Sequence, residues 1–562
     1  MRQPAKSANG LEVLAVSGTH VITLGMNMPE SEKNGLHGFS IERKDHFSDK
    51  TDWLEGLKVF PSVEAASNAA ASHTSEKHPI QDFFWSDFTV RPGRKYTYTI
   101  HARKGTPQNL VTADQVAIDI DTEDYSKSHK HSIYFNRGVA GSQAFVKKFG
   151  TEKFSKIAEE KIWVWEWLSR GLREALTDYL NEATDKTYSI RAAIYEFQFE
   201  PILTELFNAA KKRGVDVKII YDSMPDTPNK KHPDKPIINK TRDDNNTAIK
   251  NTGIGDLVIK RTRCGDIPHN KFFIILRDNV PVAVWTGSTN ITTGGIHGHS
   301  NVGHLVRDKA IAKKYMDYWE FLKDDPDVAA MRGNCLGITA DFSIKNKLDD
   351  NFTEVVFSPR QKDAMLNWYA GLSNASQKPV FLTVPFGLDT RFETVLKNND
   401  SRLFYVISDK ADKGLLVPEV AGKSLNRIAH GGMLDKGNAL LGWMKERLTG
   451  LNKINYLHTK YLLIDPLGSS PLVISGSANF SKNSTVNNDE NMLIIKGDKR
   501  VADIYFGEFL RIFRHFYFRS LVKDAAGGNL DRMALDETAT WADKFYNQAS
   551  PHFAERLYFS GN

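Results

Sequence analysis

The chain has 562 residues, too many for a single hydrophobic core, and its length divides into about three domains of ordinary size. Apolar residues at 41% and charged residues at 25% fit a globular protein, and aromatic residues at 11% argue against broad disorder. Lys and Arg (74) exceed Asp and Glu (68) for a net charge of +6, which leans weakly toward a polyanionic partner and is equally compatible with none. Cys264 and Cys335 are the only cysteines, which argues against a secreted disulfide scaffold and excludes a multi-cysteine metal site. The opening MRQPAKSANGLEVLAVSG lacks the apolar run of a signal peptide. No stretch approaches the roughly 18 apolar residues of a membrane span. A cytoplasmic location is the resulting expectation.

Residues 1–134 read as short strands separated by Gly, Pro and charged turns: THVITLGMN, LHGFSIER, KYTYTIHARK and QVAIDIDTE. In FTVRPGRKYTYTIHA a Pro-Gly turn precedes a clear alternation, with Tyr96, Tyr98 and Ile100 on one face and Thr97 and Thr99 on the other. The expected product is a small all-β sandwich that resembles a fibronectin type III domain, with a supporting or recruiting role.

The pattern changes near residue 135. A helical region through FVKKFG and IAEEKIWVWEWLSRGLREALTDYLNEATD is followed by the strand SIRAAIYEF, the helix EPILTELFNAAKKRG and the strand VDVKIIYDS. This strand-helix-strand punctuation predicts a mostly parallel sheet with helices on its faces. Trp163, Trp165 and Trp167 are expected to pack on a neighbouring domain, a membrane-facing patch being the alternative. Residues 225–250 are charged, Pro-rich and poor in apolar residues, and read as a long exposed loop. The second half repeats the arrangement: strand KPVFLTVPFG, helix RFETVLKNN, strand RLFYVISDK, helical GNALLGWMKERLTG, then INYLHTKYLLID. The tail VADIYFGEFLRIFRHFYFRSLVKDAA reads as a helix with a large apolar face. The fold class is therefore α/β, with two pseudo-symmetric lobes over 135–345 and 346–562 behind the sandwich.

Two constellations stand out. The first contains His269 and Lys271, then Gly287, Ser288 and Asn290. The second contains His458, Lys460 and Asp465, then Gly476, Ser477 and Asn479. Residues two apart on a strand share a face, so each unit sets a His and a Lys beside a Ser and an Asn. An ammonium and an amide hold the charged oxygens of a phosphodiester during phosphoryl transfer. A neutral imidazole attacks phosphorus, and a protonated one serves the leaving oxygen. One unit supplies one His; two facing units supply both tasks.

These residues resemble the duplicated HxKxxxxD…GSxN signature of the phospholipase D superfamily, over roughly residues 135–525. The resemblance implies two lobes around a pseudo-twofold axis and one cleft. It also implies no metal and no other cofactor, and a covalent phosphohistidine, with His269 as nucleophile and His458 as general acid and base. It assigns Lys271, Lys460, Asn290, Asn479, Ser288 and Ser477 to the phosphate and gives Asp465 a structural role. The first unit departs from the pattern: Leu276 stands where Asp is asked for, and Asp278 lies two further on. Eleven residues after Asn479 comes Glu490, and eleven after Asn290 comes Asn301. In similar enzymes this position holds the opposite His, so Glu490 is expected behind His269 and Asn301 behind His458. A carboxylate raises imidazole basicity and an amide does not, which favours the same division of roles.

His297, His299 and His304 invite a metal reading but are expected to be loop residues shaping the entrance. His515 sits among Arg511, Arg514 and Arg519, either as a polyanion-facing or as a domain-bridging face. Lys260, Arg261 and Arg263, with Lys230, Lys231 and Lys235, are expected to form a basic cleft rim. The function expected is a metal-independent phosphodiesterase, first a nuclease acting on DNA or RNA. A phospholipase D or transphosphatidylase acting on phospholipid headgroups is the alternative, and a non-catalytic phosphate-polymer binder the third. Both units lie in one chain, so a monomer is expected to suffice.

Overall fold

The protein is described here from a computed structural model, which covers every residue except 65–72, 139–144, 146–147, 150–156, 230–231, 233, 346–347, 432–455 and 527–533, and the backbone alone over 518–526. Two four-stranded antiparallel sheets come first. One contains Arg2–Lys6, Glu12–Ser17, Ile22–Asn27 and Phe84–Asp87; the other contains Gly38–Asp45, Lys50–Trp53, Lys95–Thr106 and Asn109–Asp121. The alternation seats the strands: Tyr96, Tyr98, Ile100 and Ala102 are buried and the residues between them are not. Leu24, Met26, Phe39 and Ile41 share that core, which Trp541, Phe545 and Tyr546 from the far end of the chain complete. Trp541 Nε1 donates to the Leu36 carbonyl at 2.7 Å.

The two lobes follow, each built on a seven-stranded sheet. The first contains β1 (His131–Phe135), β2 (Tyr188–Ile194), β3 (Asp216–Asp222), β4 (Val258–Arg261), β5 (Lys271–Arg277), β6 (Val280–Gly287) and β7 (Val302–Val306). The second contains β8 (Phe352–Ser358), β9 (Val380–Val384), β10 (Phe404–Ser408), β11 (Asn426–His430), β12 (Tyr461–Ile464), β13 (Leu472–Gly476) and β14 (Glu490–Lys496). Their spatial orders, β1-β7-β6-β5-β2-β3-β4 and β8-β14-β13-β12-β9-β10-β11, are the same order shifted by seven.

The sheets are mixed, which corrects the expectation of mostly parallel strands. Only β2–β3 and β3–β4, and their counterparts β9–β10 and β10–β11, pair in parallel. The helical crossovers read from the sequence belong to these strands. The others are joined antiparallel; β5 and β6 turn through Asp278 and Asn279, both at positive φ (48° and 63°), as a two-residue hairpin requires.

Both faces of the central strands are covered, which is why they read as unbroken apolar runs. Phe272, Ile274 and Leu276 of β5 enter a core shared by the two lobes, with Phe357, Phe381, Tyr461 and Val473. Tyr505, Phe506 and Phe509 of the long C-terminal helix fill the same core. The alternate residues Phe273 and Ile275 pack on the outer helices of the first lobe. Leu382, Val406, Leu462 and Ile474 do the same in the second.

Three helices matter below: α1 (Ile162–Ser169), α2 (Lys240–Thr252) and α3 (Lys499–Ala526). Helix α2 takes up residues 240–250, the last part of the segment expected to be a loop. Asn239 caps its start by accepting from the Arg242 N–H, Gly253 ends it in the left-handed region, and it buries little beyond Asn245, Ala248 and Ile249, so apolar periodicity was absent. The helix expected over GNALLGWMKERLTG lies outside the described residues. No helix of the described residues is long and apolar enough to cross a membrane.

Candidate active site

Because β5 and β6 run antiparallel, the start of one and the end of the other meet at the same edge of the sheet. Lys271 is the first residue of β5 and Gly287 the last of β6; Lys460 directly precedes β12 and Gly476 ends β13. The His-Lys pairs thus stand at strand entrances rather than inside strands. Side chains are excluded at the two glycines by close approach: a Cβ would lie 2.2 Å from the Val302 carbonyl at Gly287 and 2.1 Å from the Asn491 carbonyl at Gly476.

The histidines are braced across the lobe boundary. His269 Nδ1 lies 2.9 Å from Glu490 Oε2 of β14, and His458 Nδ1 lies 2.8 Å from Asn301 Oδ1, the residue before β7. Backbone contacts register the exchange: the His458 N–H donates to the Ser300 carbonyl at 3.1 Å, and the Asp489 N–H donates to the Ile267 carbonyl at 3.2 Å. Both lysines bend back on their own histidine's carbonyl, Lys271 Nζ at 2.6 Å and Lys460 Nζ at 2.7 Å. All four groups are buried. The Oδ1 atoms of Asn290 and Asn479 lack partners among the described residues.

Burial dominates the electrostatics. It lowers His269 to about 4 even though Glu490 pulls the other way, with Lys271 and Lys460 adding to the depression. It takes His458 well below the usual range, helped by Lys460, His299 and Lys271. Lys271 falls to about 8, and Lys460 well below an ordinary lysine, through burial and the neighbouring Lys271. Burial alone would raise Glu490, but His269 and Lys271 outweigh it and hold the carboxylate below its ordinary value. The site therefore holds two neutral imidazoles, of which only His269 has a carboxylate behind it.

Ser288 and Ser477, expected on the phosphate, are fully buried and occupied elsewhere. Ser288 Oγ donates to Asn301 Oδ1 at 2.9 Å and accepts from the Val302 N–H at 3.1 Å. Ser477 Oγ accepts from the Asn491 N–H at 3.0 Å. They tie the motif to the brace strands.

Asp465 has φ 49° and its N–H donates to the Pro379 carbonyl at 2.9 Å; Asp278 has φ 48° and its N–H donates to the Thr187 carbonyl at 2.8 Å. Each accepting carbonyl directly precedes the partner strand. Asp278 is thus the counterpart of Asp465, displaced by two because β5 pairs with β2 over two more residues than the motif provides.

Glu196 was missed. Two residues beyond β2, its Oε2 accepts from Asn290 Nδ2 at 2.5 Å, and burial raises its carboxyl while Lys271 lowers it. Nothing local in SIRAAIYEF marks it, because Asn290 lies 94 residues away. Tyr195 and Phe386 were missed as well. Tyr195 has its ring 5.0 Å from His269 with Lys271 Nζ 5.3 Å from its centroid. Phe386 has its ring 5.9 Å from His458 with Lys460 Nζ at 5.6 Å.

Three expectations change. Of the three histidines read as loop residues, His304 is in β7, buried, with its ring nitrogens on His131 Nδ1 (2.9 Å) and the Tyr505 hydroxyl (3.0 Å). His297 is buried between Trp165 and Phe199, and His299 stacks obliquely 6.1 Å from His458. The tryptophans of α1 pack within the first lobe rather than on a neighbouring domain: Trp165 packs on His297, Trp167 lies under Arg137, and Trp163 is 61% exposed. Arg261 leaves the supposed rim, being buried on Asp489 (2.8 Å) and Asp325 (2.8 Å). Lys235, Lys260 and Arg263 are exposed; Lys230 and Lys231 lie outside the described residues. Arg514 bridges to Asp82 of the sandwich at 3.2 Å, while the Arg519 side chain lies outside the described residues.

The only cluster of three metal-ligating side chains among the described residues is elsewhere, in the sandwich: Glu64, His73 and His78. The Phe60 N–H donates to His78 Nδ1 at 3.2 Å, so the ring proton sits on Nε2, which faces Glu64 at 3.5 Å. A metal on Nε2 needs the opposite tautomer, and the cluster reads as hydrogen-bonded rather than ligating.

A family model described as "Cardiolipin synthase, PLD-like domain" matches residues 176–322 and 406–513, one segment in each lobe. No curated protein matches the chain. Among solved structures, the phosphatidylserine synthase of Haemophilus influenzae is 13% identical, covering 69% of this chain and 94% of its own at a TM-score of 0.39. The polyphosphate kinase of Porphyromonas gingivalis is 13% identical over 57% of this chain, which spans only 42% of the kinase, at 0.37. A yeast tyrosyl-DNA phosphodiesterase 1 mutant is 14% identical, with 59% and 88% covered, at 0.32. The duplicated lobes and the matched model show a phospholipase D-like superfamily fold, present in duplicate in this one chain.

Proposed function

We propose that the chain hydrolyses nucleic-acid phosphodiesters without a metal, through a phosphohistidine on His269. The observation that carries this reading is the unequal bracing of two otherwise equivalent imidazoles, a carboxylate behind His269 and an amide behind His458. His269 Nε2 attacks phosphorus, and the bond to the leaving oxygen breaks as that oxygen takes the Nε2 proton of His458. Water then attacks phosphorus, giving a proton back to His458 and releasing His269. Glu490 stabilises the cationic adduct; an amide leaves the His458 imidazolium a readier donor. The bound diester's own charge raises both imidazoles and supplies the condition for protonating His458. Lys271, Lys460, Asn290 and Asn479 hold the phosphate oxygens, and Ser288, Ser477 and Asp465 keep the frame. One chain supplies both halves of the cleft, so a monomer suffices. The sandwich is an accessory unit of fibronectin type III type.

Exposed Lys235, Lys260 and Arg263 and the net charge of +6 favour nucleic acid. A phospholipid reading is favoured by Ile162 and Trp163, 56% and 61% exposed on the helix whose Trp165 packs on His297. One preparation decides between them. It receives single- and double-stranded DNA, RNA, and phosphatidylcholine and phosphatidylglycerol micelles, in EDTA, with His269→Asn as the blank. Cleavage of nucleic acid that persists in EDTA is expected. Headgroup release alone refutes the nuclease reading, and loss of all turnover in EDTA, restored by zinc or magnesium, refutes the mechanism.

A further inference from the structure

The pseudo-twofold relation matches residues on the two sides of the cleft, and at one matched position the sides differ in kind. In the first lobe Ile194 pairs with Lys271. In the second, continuing the register Leu382↔Leu462 by two puts Val384 opposite Lys460. Two residues beyond each comes Glu196 on one side and Phe386 on the other. Glu196 is half-buried and held by Asn290. Phe386 is 55% exposed, perpendicular to the His458 ring, on a chain otherwise withdrawn from solvent from Phe381 to Pro385.

We propose that Phe386 is a stacking platform for an unpaired nucleobase on the leaving side of the scissile phosphate, making the enzyme selective for single-stranded nucleic acid. This rests on the nuclease reading. Its position fixes the side: a group lying on Phe386 is next to His458, the residue that protonates the leaving oxygen. Charge selects the group. Lys460 Nζ is 5.6 Å from the ring centroid, and a second cation such as a choline headgroup would be repelled there, whereas a neutral planar base is not. Strand separation follows from sterics, since a base inside a duplex already has both faces covered. The polar counterpart Glu196 gives no such surface, so the preference applies to one direction along the strand.

The test uses the full-length protein and dinucleoside monophosphates. One series is intact; the other carries an abasic tetrahydrofuran residue on the side that product analysis shows to bear the leaving oxygen. The wild type is expected to favour the base-bearing substrate about tenfold in kcat/KM. Phe386→Ala is expected to bring that ratio to near one, and Phe386→Trp to restore it. A wild-type ratio near one overturns the proposal, as does a Phe386→Ala protein that loses activity on both series equally, which would make Phe386 a support for His458. If the wild type cleaves neither series and releases phospholipid headgroups, the nuclease reading has failed and the platform with it.

Discussion

Glu490→Gln isolates the chemistry assigned to the brace. The substitution keeps length and an acceptor for His269 Nδ1, and the structure already shows that an amide holds this bond, since Asn301 does so at 2.8 Å for His458. Only the charge is lost. Glu490 is fully buried, so solvent screens it little. A hydrogen bond to a charged group contributes about 1 kcal/mol more than a neutral one. A full charge about 4–5 Å from the cationic phosphohistidine contributes about 3–4 kcal/mol at an effective dielectric of 20, part of which reorganisation of the site recovers. A net loss of about 3 kcal/mol in the first transition state slows it roughly 150-fold. Single-turnover release of p-nitrophenolate from bis-p-nitrophenyl phosphate reports that step alone, because so good a leaving group needs no acid. The His269 imidazole should fall further below its present value of about 4, since Glu490 is what raises it. A first-step rate within about threefold of wild type, in a protein of unchanged Tm, refutes the reasoning.

Asn301→Asp should act on the other half of the reaction. A carboxylate raises His458, so the proton it must donate persists to higher pH; the alkaline limb of kcat/KM for dinucleotides moves up by about one pH unit or more while its plateau falls, as a pH–rate profile would read. A limb that stays in place removes His458 as the acid. Arg261→Met leaves Asp489 buried without its cation and should cost about 3–5 kcal/mol in denaturant unfolding. Arg261→Met with Asp489→Asn should recover much of that.

What the sequence made legible is what recurs within it. Two HxK…GSxN units announce themselves by repetition, and the eleven-residue offset singles out Glu490 and Asn301, which lie 2.9 Å from His269 and 2.8 Å from His458. The missing Asp of the first unit looked like a loss; it is a change of strand length, and Asp278 keeps the turn and the backbone hydrogen bond. Positive φ at Asp278 and Asn279 is a hairpin signal that RDNVP carried, and it would have shown β5 and β6 to be antiparallel. Helix α2 was hidden because it is capped and ion-paired rather than amphipathic, with Lys240 on Asp244 at 2.6 Å. Glu196, Tyr195 and Phe386 were illegible for another reason: a residue just past a strand end points wherever the tertiary fold sends the chain.

A duplicated fold offers two equal half-sites, and a displacement at phosphorus needs unequal ones. The work of function is therefore to be sought where matched positions disagree. Lysines, histidines and asparagines agree across the pseudo-dyad, as binding a phosphate between two like edges requires. Glu490 and Asn301 disagree, and so do Glu196 and Phe386, and both carboxylates fall on the His269 side. With neutral imidazoles the two lysines and two glutamates of the cleft sum to zero. A diester entering adds one negative charge, and one proton taken up restores balance. On the mechanism proposed above, that proton belongs on His458, because His269 must stay unprotonated to attack, and with no carboxylate behind its ring His458 releases it readily to the leaving oxygen. The asymmetry that makes His269 a better-supported cation is thus the same one that makes His458 a better donor.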